Sequence, residues 1–197
     1  VYTILGPDHH GHQARMETAM KALGHEGKLG IIILQQVNLI EKGERIKMSK
    51  RAGKIITMHE LIEDVGVDAA RYFFLARRVE AHLDFDIDLA RKTSDENPVY
   101  YIQYAHARIR SIIDYAANKG FLPEKSNIGI NNLVQPEEKT LLRKLAKFPK
   151  AIIDTTESMQ PHIIPFYLHG LSKLFHNFYA KYRVVDDGVP DLSLIHI

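Results

Sequence analysis

The first apolar segment, VYTILG, alternates and runs rich in β-branched residues over Val1–Gly6, then stops at Gly6 and Pro7, which predicts a buried strand. A polar loop containing DHHGH follows it. From Gln13 to Leu23 the apolar positions Met16, Ala19, Met20 and Leu23 recur at three and four residues, and Gly24 supplies a stop, so this segment predicts a helix. LGIIILQQVNLI then predicts a strand pair. The order strand, helix, strand is the signature of a parallel α/β layer.

Past a lysine-rich loop the pattern becomes helical. Thr57 lies three residues before Glu60, the spacing of a capping box, and HELIEDVG closes on Gly66 as a short helix. Asp68 is expected to cap the next helix, AARYFFLARR, with Phe73 and Phe74 in the core. AHLDFDIDLARKTSDEN is acidic and irregular in pattern and is expected to form the junction between two domains.

From Asn97 the chain is expected to be all-helical. Asn97 is a favoured N-cap, Pro98 suits the first helical position, and Gly120 follows Lys119 as a stop. Val99, Ile102, His106, Ile109, Ile113 and Ala116 share one face and predict the core stripe. Tyr101, Tyr104 and Arg108 share another. That second face has two readings on pattern alone: packing against a neighbouring helix, or a stacking platform for unpaired bases, which needs flat π-faces and a cation. Further helices are predicted over PEEKTLLRKLAKF, with Leu141, Leu142, Leu145 and Phe148 as its apolar set, and over KAIIDTTESM. A last one covers HIIPFYLHGLSKLFHNFYAKYRVV, whose stripe includes Phe166, Tyr167, Leu171, Leu174, Phe175, Phe178 and Tyr179.

Composition narrows the class without deciding it. The chain has 197 residues with 45% hydrophobic and 25% charged content, enough for one large core or two small ones. It contains no cysteine, which removes disulfides, thiolate metal sites and cysteine nucleophiles and fits a reducing, cytoplasmic compartment. No apolar run approaches the roughly 18 residues of a membrane span, so a soluble protein with no membrane partner is expected. The net charge of +2 does not by itself argue for nucleic acid. Its distribution matters more: Lys42, Arg45, Lys47, Lys50, Arg51 and Lys54 are opposed locally only by Glu41 and Glu44.

Three features could carry chemistry. Asp8, His9, His10 and His12 crowd one loop after a strand, where α/β proteins commonly bind ligands. Imidazole and carboxylate are metal ligands, but no further ligand-bearing helix completes a set, and no metal site is assigned. The second feature is the loop KMSK, Lys47–Lys50. Two ammonium groups and a hydroxyl on a loop relieved by Ala52 and Gly53 can close over a polyphosphate and offset charge on a departing pyrophosphate. The third is the Tyr101, Tyr104 and Arg108 face.

KMSKRAGKIITMHELIEDVGVDAARYFF, then LDFDIDLA, then ENPVYYIQYAHARIRSI resemble the arginyl-tRNA synthetase family of class I aminoacyl-tRNA synthetases, and GPDHHGH is similar to the strand and loop that precede the lysine motif there. The resemblance runs from Val1 to about Pro190. It implies an α/β, partial Rossmann-like catalytic domain, its second half, over residues 1–93. A helical anticodon-binding (DALR-type) domain, truncated at its C-terminal side, is then expected over residues 94–197. The implied activity is ATP-dependent activation of L-arginine and its transfer to tRNA(Arg), with Mg2+ accompanying the nucleotide, in a parent protein expected to be a monomer.

By the same resemblance Lys47 and Lys50 are the catalytic lysines, and Lys47, Met48, Ser49, Lys50 and His9 contact ATP. Asp8 and His9 border the substrate pocket, and Tyr101, Tyr104, Arg108 and Tyr179 contact the anticodon loop. Arg51 stands where other class I synthetases commonly carry serine, a departure that points to the arginyl branch. HHGH fits the His-x-Gly-His first signature letter for letter but lies too close to Lys47 for the intervening strands, and it lacks the expected approach sequence. The first signature is therefore expected outside this chain, and the fragment is expected to be inactive alone. SLIHI does not resemble the family's last helix, which predicts truncation with foreign residues at Ser193–Ile197. A non-catalytic RNA-binding module and another class I synthetase are the competing readings.

Overall fold

A computed structural model of the chain describes residues 1–48, 55–120 and 133–185. The chain divides into two compact units, Val1–Arg91 with Gln160–His162, and Lys92–Met159 with Ile163–Ile197.

In the first unit, strand β1 (Tyr2–Leu5) pairs in parallel with β2 (Gly30–Ile33), Tyr2 opposite Gly30 and Leu5 opposite Ile33. A parallel pair requires a crossover, and helix α1 (His10–Ala22) supplies it. The helix begins three residues before the apolar period predicts, so His10 and His12 join its first turn after a short 3-10 turn at Pro7–His9. None of its residues is buried, and Leu23 is fully outside the core. Gly30 has a steric reason: a β-carbon there would fall inside contact distance of the Tyr2 ring.

LGIIILQQVNLI forms two strands, yet they do not pair with each other. Strand β3 (Val37–Glu41) belongs to a second sheet of order β4-β3-β5, antiparallel to β4 (Glu44–Arg45) and parallel to β5 (Leu83–Asp86). The β3–β4 hairpin turns through Lys42 and Gly43, with φ of 53° and 74°. Two left-handed residues give a turn whose twist matches the flanking strands, and the glycine carries one of them without strain.

Helix α2 (Met58–Val65) has the expected capping box: the Glu60 amide donates to Thr57 Oγ1 at 3.2 Å, and the Thr57 amide donates to Glu60 Oε2 at 2.6 Å. The Thr57 amide, followed by its hydroxyl, holds the Glu60 carboxyl below its usual range. The next helix, α3 (Val67–Leu75), is not capped by Asp68, which lies inside its first turn. Gly66, at φ 83°, both ends α2 and opens α3, so the chain reverses in a single residue and leaves no room for a separate cap.

The acidic stretch expected to be an irregular junction contains β5 and helix α4 (Ile87–Arg91). Its acids are used individually. Asp84 accepts from Asn38 Nδ2 across the β3–β5 ladder at 2.7 Å, and Asp86 Oδ1 accepts from the Leu89 amide at 2.9 Å. Between them Phe85 is fully buried, with the rings of Phe73 and Phe74 5.3 and 5.2 Å away. Arg91 joins three elements, donating to Asp64 on α2 (2.7 Å from Nε) and to Glu41 on β3 (2.9 Å), with Asp88 of its own helix 3.6 Å away. Its guanidinium holds the Asp64 carboxyl below the usual range, so this tie is present at neutral pH and is lost on acidification.

The second unit is helical: α5 (Pro98–Asn118), α6 (Pro136–Ala146), α7 (Phe148–Ser158) and α8 (Ile163–Lys181). Helix α8 packs against the other three and buries Tyr167, Ser172, Phe175 and Phe178. Tyr167 Oη donates to the Lys144 carbonyl at the end of α6 at 2.9 Å. Glu137 accepts from Lys181 and, at 3.0 Å, from Tyr182 Oη, fastening the start of α6 to the end of α8. Leu142, Leu145, Phe148 and Phe166, expected in the core, are exposed, because α8 meets α6 through Tyr167 and its neighbours instead.

Asn97 caps α5 as expected. Its Oδ1 accepts from the Val99 amide at 3.0 Å and its Nδ2 donates to the Lys92 carbonyl at 2.8 Å, with the residue 4% exposed. Replacing it by alanine removes both bonds in a buried position, and Asn97→Ala is expected to cost about 1–2 kcal/mol, measured by urea denaturation. Asn97→Asp keeps the cap acceptor and loses the donor, so it is expected to fall between the two.

The packed face of α5 is the predicted one in part. Val99 and Ala116 of the expected stripe are buried and Ile102 and Ile113 half-buried, while His106 and Ile109 are exposed. The packed face is widened by Ala105, which is buried, and by Tyr101, Arg108 and Ile112, which are half-buried.

Candidate functional site

The seam between α5 and α8 brings the third sequence feature together with residues the sequence pattern did not single out. The Tyr101 ring lies 4.5 Å from His176 and 5.5 Å from His169, both on α8. Burial, followed by the nearby Asp95, pushes the Tyr101 phenol up from its usual range. Tyr104 is 41% exposed; its ring stacks 5.6 Å from His176 at 20° and 6.2 Å from Tyr100 at 7°. The Arg108 guanidinium sits 4.9 Å from the Tyr104 centroid and 4.7 Å from that of Tyr179, and it donates to Tyr104 Oη.

The four residues expected to act together are therefore neighbours, but not equals. Tyr104, Arg108 and Tyr179 form one cation–π sandwich at the surface, whereas Tyr101 is tucked behind it against two histidines. The guanidinium lies within cation–π range of both rings, and this pairing of flat rings with a cation is what unpaired bases and phosphates require.

The sandwich opens onto a cavity of about 680 Å³ running along α5 from Tyr104 to Tyr115. Arg108, Lys181 and Arg183 line it together with Tyr104, Tyr115, Tyr179 and Tyr182, and among the described residues no carboxylate is in its lining, although Lys181 is paired with Glu137 beside it. A cavity with cationic and aromatic walls favours an anionic, planar ligand over a protein helix. His176 and Tyr182 were the residues missed. The sequence signal was available in part: His169 and His176 lie seven apart on the helix that carries Tyr179, hence on nearly one face.

In the first unit, the lysine loop leaves the β3–β4 hairpin and enters the capping box of α2. Lys47 and Met48 are exposed immediately after the hairpin, where the Ile46 amide still donates to the Leu39 carbonyl at 2.8 Å. Ser49, Lys50, Arg51, Ala52, Gly53 and Lys54 lie outside the described residues. Both ends of the loop are fastened to Arg91: β3 through Glu41, and α2 through Asp64. Asp8 and His9 are exposed at the end of β1, and the His9 ring lies edge-on to His12 at 5.3 Å. Among the described residues no group of three or more histidine and acidic side chains is arranged to hold a metal ion.

The family model for the DALR anticodon binding domain matches residues 102–193. Over 190 residues the chain is 50% identical to an arginine–tRNA ligase of Desulforamulus reducens, covering 95% of the chain and 34% of that relative. It is 50% identical over 187 residues to one of Carboxydothermus hydrogenoformans, with the same 34% of the relative covered. A solved structure from Campylobacter jejuni, assigned as an arginyl-tRNA synthetase, superposes with a TM-score of 0.84 at 35% identity, covering 99% of the chain and 42% of that structure. The chain belongs to the arginyl-tRNA synthetase family. It spans about a third of the length of the curated relatives it matches. The Thermus thermophilus arginyl-tRNA synthetase shares the fold with a TM-score of 0.71 at 20% identity. The helical unit is thus the DALR domain of an arginyl-tRNA synthetase sequence, and its sandwich and cavity lie within the matched residues, apart from the adjoining Tyr101. Among the described residues no helix is long and apolar enough to cross a membrane.

Proposed function

We propose that the chain is the lysine-loop half of the catalytic domain, together with the anticodon-binding domain, of an arginine–tRNA ligase. The enzyme activates L-arginine with ATP and transfers it to tRNA(Arg). The observation that carries this reading is the 50% identity to arginine–tRNA ligases across 95% of the chain. We read residues 1–93 as the second half of a Rossmann-like catalytic domain, a reading supported by the two parallel pairs, β1–β2 and β3–β5. Residues 94–197 form the anticodon-binding domain in the same reading.

In activation the arginine carboxylate attacks the α-phosphorus of ATP, and pyrophosphate leaves. Charge grows on the departing oxygens, and the ammonium groups of Lys47 and Lys50 are the groups assigned to offset it. A compact cation on a flexible stem follows a moving phosphate better than a rigid donor does. Met48 and Ser49 shape that loop, and Asp8 and His9 border the arginine and adenosine pocket. Magnesium accompanies the triphosphate as its counter-ion; the exposed Lys47 suits an anion rather than a cation. Tyr101, Tyr104, Arg108 and Tyr179 are the anticodon-loop contacts, with Tyr101 acting from behind the surface rings. The parent enzyme is assigned to the cytoplasm as a monomer, and the absence of cysteine suits that compartment.

ATP–pyrophosphate exchange, measured on the protein extended to the length of its relatives, tests the reading. Exchange that depends on arginine and requires tRNA is expected. Exchange with a different amino acid would assign another class I synthetase, and none with any amino acid, beside intact RNA binding, would leave a non-catalytic module.

A further inference from the structure

The imidazole of His176 is the centre of the seam, although no role has been given to it. Its ring is within 4.5 Å of Tyr101, 5.6 Å of Tyr104 and 5.7 Å of Phe175, so it is wedged among three aromatic rings from two helices. Its Nε2 lies 3.3 Å from the Tyr101 main-chain carbonyl. A carbonyl oxygen can only accept, so Nε2 carries the proton, and the bond ties α8 to the backbone of α5 one turn before Tyr104. Tyr104 thus stacks with the imidazole at a 20° interplanar angle and, less closely, with Tyr100 of its own helix at 7°, while Arg108 lies between it and Tyr179.

From this arrangement we infer that His176 is a positioning residue for RNA binding: it fixes the plane of Tyr104, and with it the Arg108 sandwich, before RNA arrives. The inference rests on the anticodon-loop reading of that sandwich. A free tyrosine ring on a helix samples several rotamers, and each must be given up on stacking with a base. A ring already backed by imidazole loses less. His176 does not touch the RNA in this account; the flat aromatic shape of the wedge matters more than its polar edge.

Two measurements on this chain test it. The first is affinity for an anticodon stem-loop RNA of an arginine tRNA, by fluorescence anisotropy. Tyr104→Ala is expected to weaken binding about tenfold, and His176→Ala about fivefold. His176→Phe, which restores a flat ring, is expected within about twofold of the parent, whereas His176→Asn, which keeps a donor without a ring, is expected to behave like His176→Ala. In the Tyr104→Ala background, His176→Ala is expected to cost nothing further, because its effect passes through Tyr104. An equal loss in both backgrounds, or no loss from His176→Ala alone, overturns the inference.

The second measurement is the NMR shift of the Tyr104 ring protons in the absence of RNA. They are expected to move in His176→Ala and to return in His176→Phe; unmoved resonances overturn the inference whatever the RNA does. If the ring moves while Tyr104→Ala leaves RNA affinity intact, the anticodon-loop reading fails, and with it the role of His176 in RNA binding.

Discussion

Phe85→Ala is expected to cost about 3–5 kcal/mol, the range for truncating a large buried aromatic. Phe85 is the largest fully buried side chain among the described residues, and it lies beside Phe73 and Phe74 of α3 while its backbone pairs with Leu39 in the β3–β5 ladder. The other buried apolar residues described in that unit are few: Leu39, Leu61, Ala69, Ala70, Ile87 and Ala90, half of them alanines. A domain of this size has roughly 5–15 kcal/mol in total, so the loss is a large share of it. In differential scanning calorimetry the transition of the unit carrying Phe85 is expected to fall by more than about 10 °C. Phe85→Leu, which keeps most of the volume, is expected to lose far less. A Phe85→Ala transition within about 2 °C of the parent would mean that the β3–β5 sheet is held by its ladder and by Arg91 rather than by this ring.

Phe85 also illustrates what the sequence conveyed and what it concealed. LDFDID alternates apolar and acidic residues with the two-residue period of a one-sided strand, but four-residue strands carry little signal, and the acid content suggested a junction. What orders the segment is non-local: Asn38 for Asp84, the Leu89 amide for Asp86, and two phenylalanines from α3. The helix ends, by contrast, were legible because their determinants are local. Thr57 with Glu60, Asn97 with Pro98, and Gly66 act within a few residues of themselves. The face of α5 was legible in part: Val99 and Ala116 are buried as the apolar period predicts, but His106 and Ile109 are exposed. Tyr101 and Arg108 were not counted with the packed face, yet α8 presents His169, His176 and Tyr179, against which a tyrosine ring and the stem of an arginine can pack. The chemistry-bearing residues of the site were legible as a set, from resemblance and from the Tyr, Tyr, Arg spacing. Their division into a half-buried tyrosine, a surface sandwich and a histidine wedge was not, because it depends on a partner helix some seventy residues away.

Lys50→Ala, in the protein extended to the length of its relatives, is expected to slow arginine-dependent pyrophosphate exchange by about a hundredfold, with at least tenfold required by its assigned role. The lysine segment follows β4, where the Ile46 amide is still bonded to the Leu39 carbonyl, and precedes the Thr57 capping box, and Arg91 ties β3 on one side to α2 on the other. The Lys50–phosphate contact is made chiefly in the transition state, so the effect is expected in kcat, with the KM for arginine nearly unchanged. Lys47→Ala is expected to act in the same direction with a smaller loss, because Lys47 is closer to the hairpin and has less reach. Arg91→Ala removes the shared anchor and leaves both ammonium groups; it is expected to raise the KM for ATP as well as lower kcat, since the loop ends then drift apart. A Lys50→Ala enzyme with unchanged exchange would remove this lysine from the mechanism and leave the loop a solvated basic surface.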